Sequence, residues 1–241
     1  MKVAVGAPVA ERGWILREWR RGLLRQTLQP SSYCFVYSHS EDDTLSILGD
    51  GEWEAPVSTL ITPAPFYSRN DRHSDQSDPQ RAGHFSLLRN SLLSLFLLTD
   101  ADLFVSLDTD ILLEDSTVLE QLAQTIRDGW DVASPLCYLH AAGAISECYN
   151  AGHLGGGEGF TQGWWRVERH ELRDYSLLGI GVPMAAMMMR RDVARQCRYR
   201  AHDCGEDVGF AQSLAEHRFK VAWRTDLEVR HVWGADYLRR G

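Results

Sequence analysis

Strands and helices alternate along this chain, and that alternation restricts its fold more than any other feature. Apolar and β-branched runs predict strands at 2–6, 33–37 and 57–61, and helical spacing predicts helices over 14–28 and 84–98. Such alternation is typical of an α/β domain with helices on both faces of the sheet. At 241 residues and 44% hydrophobic content, the chain can bury such a core as one domain.

The second half of the chain continues the same pattern. Strands are predicted at 103–107, 131–136, 183–189, 219–223 and 228–232, and helices at 116–127, 190–197 and from 205 onward. The expected fold is therefore a single Rossmann-like α/β domain with a mixed, mostly parallel central sheet flanked by helices.

Residues 138–176 depart from this pattern because they are rich in glycine, with five glycines between Gly155 and Gly163. We interpret the segment as a loop that carries a binding surface, since binding residues concentrate on loops. Trp164 and Trp165 close the glycine run and either stack on a ligand or pack beneath the loop. No strand is predicted directly before the glycines and no amphipathic helix directly after them, so they lack the context of a dinucleotide-binding fingerprint.

Two aspartates, Asp108 and Asp110, directly follow the predicted buried strand at 103–107. Ligands of open α/β sheets bind beyond the carboxyl ends of the strands, so both carboxylates are placed where a ligand is expected. Hard oxygen ligands suit Mg²⁺ or Mn²⁺ better than zinc, and these ions commonly accompany phosphate groups. A helix cap by Asp115 or Ser116 would leave the two aspartates without a role, which favours the metal interpretation.

Two further acids, Glu206 and Asp207, stand at the start of a predicted helix after Gly205. Acids there often only stabilise a helix N-terminus, but a carboxylate in this place can also act as a general base. His231 lies in a late apolar strand, where a single histidine is more often structural. It becomes a candidate metal ligand because a divalent site is already expected.

Charge and cysteine content narrow the class of partner. The net charge of −8 disfavours a general nucleic-acid binder, and the candidate for a local basic groove is residues 70–83 with Arg69, Arg72 and Arg81. The five cysteines form no CxxC pair, which favours free thiols in a reducing compartment. No apolar run is long enough for a membrane-spanning helix. We therefore expect a cytoplasmic protein with no transmembrane segment.

Taken in order, these features resemble a known family. They are Ala7-Pro8-Val9 with Arg12, Arg89-Asn90, Asp108-Thr109-Asp110, the segment 181–191, Glu206-Asp207 and His231. The pattern extends over residues 3–233 and is similar to nucleotide-sugar-dependent glycosyltransferases of the GT-A fold, above all the inverting family 2 enzymes. The resemblance divides the chain into a nucleotide-sugar-binding half, 1–110, and an acceptor-binding half, 111–241, which includes 138–176.

The resemblance also implies roles for individual residues. The donor nucleotide sugar would be bound by Pro8, Val9, Arg12, Ser38, Arg89, Asp108 and Thr109. A Mn²⁺ or Mg²⁺ ion would be held by Asp108, Asp110 and His231, and the acceptor by Gly157, Trp164 and Trp165. Asp207 would be the catalytic base, with Glu206 as its neighbour or alternate. Ser38 stands where the family often has a base-binding acid; here the acids come later, at 41–43.

The function implied by the resemblance is metal-dependent transfer of a sugar, most simply from a UDP-sugar, to an acceptor hydroxyl with inversion. The enzyme class would be a hexosyl- or related transferase, and the acceptor a glycan, a small molecule or a modified nucleic-acid base. One alternative is a nucleotidyltransferase acting on a sugar phosphate, although GAPVAERG lacks the glycine-rich basic signature of that class. The other is a non-catalytic protein that binds nucleotide sugars.

Overall fold

The computed structural model describes residues 1–62, 79–141, 144–154, 164–168, 177–179, 181–232 and 234–238, with the backbone alone between 138 and 179. The strands are β1 (Val3–Val9), β2 (Ser32–Tyr37), β3 (Val57–Ile61), β4 (Leu103–Leu107), β5 (Ile111–Leu112), β6 (Val132–Ala141), β7 (Ala144–Leu154), β8 (Trp164–Glu168), β9 (Leu177–Gly179), β10 (Val182–Pro183), β11 (Ala186–Arg190) and β12 (Val221–His231). The helices are α1 (Gly13–Leu24), α2 (Thr44–Leu48), α3 (Pro79–Leu98), α4 (Val118–Arg127), α5 (Arg191–Gln196), α6 (Glu206–Glu216) and α7 (Ala235–Leu238). None of the described helices is long and apolar enough to span a membrane.

The strands form one mixed sheet in the order β10-β7-β6-β11-β4-β1-β2-β3. Strands β3, β2, β1 and β4 are parallel neighbours, as alternating strands and helices predict. Strand β11 enters antiparallel between β4 and β6, and β12 runs parallel to β6 and antiparallel to β5. The predicted single α/β domain with a mixed sheet is therefore confirmed.

Both faces of the sheet are covered by apolar helices. Alternate residues of β1 enter opposite cores: Val3 and Val5 pack with α1 and α4, whereas Ala4 packs with α3, α5 and α6. This two-sided burial explains why the strands are apolar throughout, since a strand covered on both faces needs no polar alternation. It also leaves the strand ends as the natural place for polar side chains.

Residues 138–176 contain more regular structure than the predicted loop. Strand β6 continues to Ala141, and β7 and β8 extend the sheet by antiparallel pairing. Neighbouring strands supply these hydrogen bonds, so context outweighs the weak strand propensity of the sequence. The prediction that no strand precedes Gly155 was wrong, because β7 ends at Leu154. Since β7 is antiparallel to β6, β8 and β10, it does not form the parallel unit of a dinucleotide-binding fold.

Two smaller differences follow from local hydrogen bonding. The acidic segment after β2 contains the short helix α2, because Asp42 accepts a hydrogen bond from the backbone N–H of Thr44 (3.0 Å) at its start. The two predicted late strands are one strand, β12, whose pairing with β6 shifts register between Arg224 and Glu228. An irregularity of this kind interrupts the apolar pattern without ending the strand.

Helix α6 lies so close to the preceding segment that one position requires glycine. A Cβ atom on Gly209 would lie 2.1 Å from the backbone oxygen of Arg200. We therefore expect Gly209→Ala to lower the free energy of unfolding by about 3 kcal/mol, measured by urea denaturation. Gly49→Ala is the matched control because its Cβ would meet nothing closer than 3.7 Å, and a similar loss there would contradict the explanation.

Candidate active site

The candidate site lies at the carboxyl ends of the parallel strands. Asp108 follows β4 directly, and two distant groups hold its backbone: its N–H donates to the Ala185 carbonyl (2.8 Å), and its carbonyl accepts from Trp19 Nε1 (3.0 Å). Asp110 lies two residues on, and its carbonyl accepts from the Val232 N–H (2.8 Å). The backbone around both aspartates is thus fixed by α1, by the chain before β11 and by the end of β12.

A strained turn supports Asp108. Ala185 has φ 60°, in the left-handed region, and Ala186 N–H donates to the Met184 carbonyl across it (2.6 Å). Three-residue turns with positive φ are rare and unfavourable outside glycine, and such strain is found mainly at functional sites. The buried Ala185 methyl group belongs to the core. Packing therefore favours alanine here even though glycine would relax the backbone.

Arg89 of α3 binds Asp108 through both carboxylate oxygens. Its Nη1 lies 3.0 Å from Oδ1 and its Nη2 donates to Oδ2 at 3.1 Å. Burial raises the pKa of Asp108, and Arg89 opposes this, while the nearby Asp110 adds to the rise. Arg89 therefore favours the ionised form of Asp108, whereas burial and the charge of Asp110 oppose it.

Asp110 has different neighbours from Asp108. Its Oδ2 accepts from Arg12 Nη2 (3.2 Å), and its Oδ1 lies 3.7 Å from His231 Nε2. Burial pushes the pKa of Asp110 upward, but His231 and Arg12 outweigh burial, so the pKa lies below its ordinary value. Asp110 is consequently ionised at neutral pH.

The residues around Asp110 fit a divalent cation whose coordination is completed by substrate. Among the described residues no group of three His, Cys, Asp or Glu side chains is arranged as a metal site. Asp110 and His231 nevertheless adjoin, and each side chain is about one-fifth exposed. Mg²⁺ and similar ions are often held by one or two protein ligands together with substrate phosphates. Asp108 is less suited as a ligand because Arg89 occupies both of its oxygens.

Glu206 and Asp207 begin α6 beside the Arg89–Asp108 pair. Glu206 Oε1 accepts from Arg89 Nε (3.2 Å), so Arg89 contacts both acidic segments. The buried Oδ1 of Asp207 has no hydrogen-bond partner within the described ranges. Burial raises the pKa of Asp207 to about 8, although Arg89 opposes the rise. A half-buried carboxyl with one buried, unpartnered oxygen and a raised pKa is typical of a group that binds or deprotonates a substrate hydroxyl.

The predicted nucleoside-binding residues occupy the neighbouring strand ends. Val9 ends β1, and its carbonyl accepts from the Ser38 N–H (3.0 Å) just after β2. Ser38 Oγ lies 3.2 Å from Thr62 Oγ1, a residue that the sequence did not single out. Asp42, one of the later acids, instead accepts from the N–H of Gly13 (2.8 Å) and so starts α1. Polar side chains therefore follow the carboxyl ends of the strands from Asp110 to Ser38 and Thr62.

Several predicted residues remain predictions. Pro8 lies in β1 and Thr109 is buried between the two aspartates, and among the described residues neither has a polar side-chain contact that tests its role as a donor ligand. Gly157, Arg69 and Arg72 lie outside the described residues. Trp164 and Trp165 begin β8 opposite Leu154 and His153, where only the backbone is described. Arg81 lies in the first turn of α3.

Sequence reasoning missed two residues that surround Arg89. Ser106 Oγ lies 3.4 Å from Arg89 Nη1, and the Tyr199 ring lies 5.7 Å from the guanidinium carbon. Ser106 was visible as a polar residue inside an apolar strand, which indicates a buried hydrogen bond. Tyr199 gave no such signal, because its position depends on how the chain before α6 packs on α3.

Comparison with known proteins gives structural matches without sequence matches. No protein-family profile and no curated protein matches the chain. The crystal structure of S. aureus TarS matches 96% of this chain with a TM-score of 0.60 and 14% identity. TarS 1–349 in complex with UDP-GlcNAc matches 97% with a TM-score of 0.62, and its UDP complex matches 95% with a TM-score of 0.60, both at 14% identity.

The matches identify the fold. This chain spans 37% of the length of the longer TarS chain and 60% of TarS 1–349. At 14% identity the likeness concerns architecture alone, and it shows a GT-A-like glycosyltransferase fold. The fold implied by the sequence resemblance is thereby confirmed.

Proposed function

We propose that this protein is a glycosyltransferase that moves a sugar from a nucleotide-diphosphate sugar to an acceptor hydroxyl. The main support is the buried Oδ1 of Asp207, which has no hydrogen-bond partner among the described residues, next to the Arg89–Asp108 pair. A second support is the group of Arg12, Asp110 and His231, which is a candidate phosphate-binding corner two residues beyond Asp108. The GT-A-like fold, seen with UDP and UDP-GlcNAc in TarS, supports a UDP-sugar as donor.

The donor would lie along the strand ends. Its nucleoside would reach toward Ser38 and Thr62, and its ribose hydroxyls toward Asp108. Its diphosphate would meet Arg12, whose guanidinium can bind phosphate oxygens in the bidentate manner typical of arginine. Asp110 and His231 would hold Mn²⁺ or Mg²⁺. A bound cation of this kind neutralises the charge that develops on the departing diphosphate.

Asp207 would act on the acceptor. Its carboxylate takes the proton of the acceptor hydroxyl while that oxygen forms a bond to the anomeric carbon. The bond from the anomeric carbon to the phosphate oxygen breaks, and the nucleoside diphosphate leaves with the electron pair. The transition state has oxocarbenium character, as in glycoside hydrolysis. Attack from the face opposite the diphosphate would invert the anomeric centre. The acceptor class stays open between a glycan, a small molecule and a modified nucleic-acid base.

A panel of nucleotide sugars tests this function. The protein is incubated with UDP-, GDP- and dTDP-sugars in Mn²⁺ or in EDTA, and nucleotide release is measured by chromatography, with and without mixed acceptors. We expect UDP release from a UDP-sugar in Mn²⁺, reduced about tenfold or more by EDTA because charge on the leaving group is then unscreened.

Other products would favour the alternatives. Formation of pyrophosphate from a nucleoside triphosphate and a sugar phosphate would indicate nucleotidyl transfer. Tight binding of a UDP-sugar by calorimetry, with no release under any condition, would indicate a binding protein. Either result would contradict the proposed transfer reaction.

A further inference from the structure

Arg89 joins three parts of the site that are far apart in sequence. It projects from α3 and is almost fully buried, with 6% of its side chain exposed. Two of its nitrogens bind Asp108 after β4, and Nε donates to Glu206 in the first turn of α6. A guanidinium has five N–H donors in a rigid fork, so one arginine can make these contacts at once.

The next residue, Asn90, joins α3 to the segment before α6 through backbone hydrogen bonds. Asn90 Nδ2 donates to the Tyr199 carbonyl (2.9 Å), and the Tyr199 N–H donates to Asn90 Oδ1 (2.9 Å). This reciprocal pair fixes α3 against the chain that leads into α6. Asn90 thus sets the distance between α3 and the segment before α6, whereas Arg89 connects charged side chains that a ligand can reach.

Arg89 is shared among three carboxyl groups. Burial alone would lower its pKa, but Asp108, Asp207 and Glu206 raise that pKa well above its ordinary value. One buried cation therefore faces three acids. A change in the charge or hydrogen bonding of any one acid alters the strength of the interactions between Arg89 and the other two acids, because buried interactions are weakly screened.

We propose that Arg89 couples donor occupancy at Asp108 to the position of the first turn of α6. This inference rests on the proposed function, because the donor is the ligand that reaches Asp108. A ribose hydroxyl that binds Asp108 competes with Arg89 for the carboxylate oxygens. Arg89 then interacts more strongly with Glu206, which draws the first turn of α6 inward and holds Asp207. Arg89 is thus a positioning residue, in contrast to the direct donor contact that the family resemblance implied.

Hydrogen exchange with UDP as the probe tests the coupling. UDP is added in Mn²⁺ to the intact wild-type chain, and exchange is followed by mass spectrometry in peptides covering 204–212. We expect UDP to slow exchange in the first turn of α6 by about threefold or more, because a strengthened charge-assisted bond stabilises that turn.

Glu206→Gln is the decisive variant. It keeps the size of the side chain but removes the charge that Arg89 binds, so UDP should still bind within about threefold of the wild-type Kd while the slowing disappears. Donor turnover should fall in kcat with little change in KM. Glu216→Gln, at the exposed far end of the same helix, is the matched control and should behave as wild type.

Arg89→Lys provides a second test if Glu206→Gln folds poorly, since lysine keeps the charge but cannot bridge both acids. The coupling is overturned if UDP binds the wild type without slowing exchange at 204–212. It is also overturned if UDP slows exchange in Glu206→Gln, or in a folded Arg89→Lys variant, as much as in the wild type. Failure of UDP and every other nucleotide diphosphate to bind the wild type contradicts the proposed function itself, and the coupling with it. The binding measurement therefore separates the two failures.

Discussion

Asp207→Asn should reduce sugar transfer by about 10²- to 10⁴-fold, the range of a lost general base. The amide has nearly the same shape as the carboxyl but cannot accept the proton of the acceptor hydroxyl. Binding of UDP should be preserved, because in the proposed reaction Asp207 acts on the acceptor hydroxyl and other residues bind the donor. Initial rates of nucleotide release and calorimetric UDP affinity measure the two effects. Transfer that survives in the variant would exclude Asp207 as the base.

The pH dependence of wild-type transfer follows from the raised pKa of Asp207, about 8 in the free protein. The base must be ionised to accept a proton, so kcat/KM should rise about tenfold per pH unit below that value and level off above it. The small residual rate of Asp207→Asn should lack this rise. A wild-type profile that is flat between pH 6 and 8 would contradict the assignment.

The same substitution should make the fold more stable than the wild type as pH rises from 5 to 8. The folded pKa of Asp207, about 8, lies above its ordinary value of 3.8, so the folded state binds the proton more tightly. The associated stability is present below the unfolded pKa and is lost as pH rises through the folded one, by at most about 1.4 kcal/mol per pH unit. Asp207→Asn removes this loss. Its free energy of unfolding, measured by urea denaturation, should therefore increase relative to that of the wild type between pH 5 and 8. Asp128→Asn, an exposed control on the end of α4, should show no such gain.

Asp110→Asn should weaken Mn²⁺-dependent UDP binding by about 100-fold, because a charged ligand to the cation is lost and several kcal/mol of charge stabilisation depend on it. The test is calorimetric titration with UDP in Mn²⁺ and in EDTA. In the wild type, EDTA should weaken binding strongly, whereas in Asp110→Asn it should have little further effect.

Glu114→Gln is the matched control for this experiment. Glu114 is exposed, follows β5 closely and pairs with Arg230, so its loss tests whether any nearby carboxylate produces the effect. The control should retain the metal dependence of the wild type. An Asp110→Asn variant that still binds UDP more tightly in Mn²⁺ than in EDTA would place the cation elsewhere.

The convergence of the site could be predicted because each key residue stands at the boundary of a regular element. Asp108 follows a buried strand, Asp207 starts a helix and His231 ends a strand, and such boundaries meet at one edge of an α/β sheet. The pairing of Arg89 with Asp108 and Glu206 could not be predicted, because it depends on how α3 packs against α6. The positive φ of Ala185 could not be predicted either, because an alanine within an apolar run does not indicate a left-handed backbone.

The nucleoside end of the site shows the same limit. The acids after β2 were considered for the donor, but Asp42 is engaged in starting α1, and the hydroxyl pair of Ser38 and Thr62 lies at the strand ends instead. Side chains of similar polarity compete for hydrogen bonds there, and only the backbone geometry decides which of them caps a helix and which faces the edge.

The two hydrogen bonds that hold the backbone of Asp108 come from Trp19 in α1 and from Ala185 before β11. Both anchors lie outside the segment 138–179, where β7 and β8 extend the sheet. These two hydrogen bonds to Asp108 therefore do not involve that extension, whereas His231 in β12 pairs with Leu139 of β6 inside it. We expect the backbone support of Asp108 in the proposed donor site to be preserved when β7 and β8 are exchanged or lengthened.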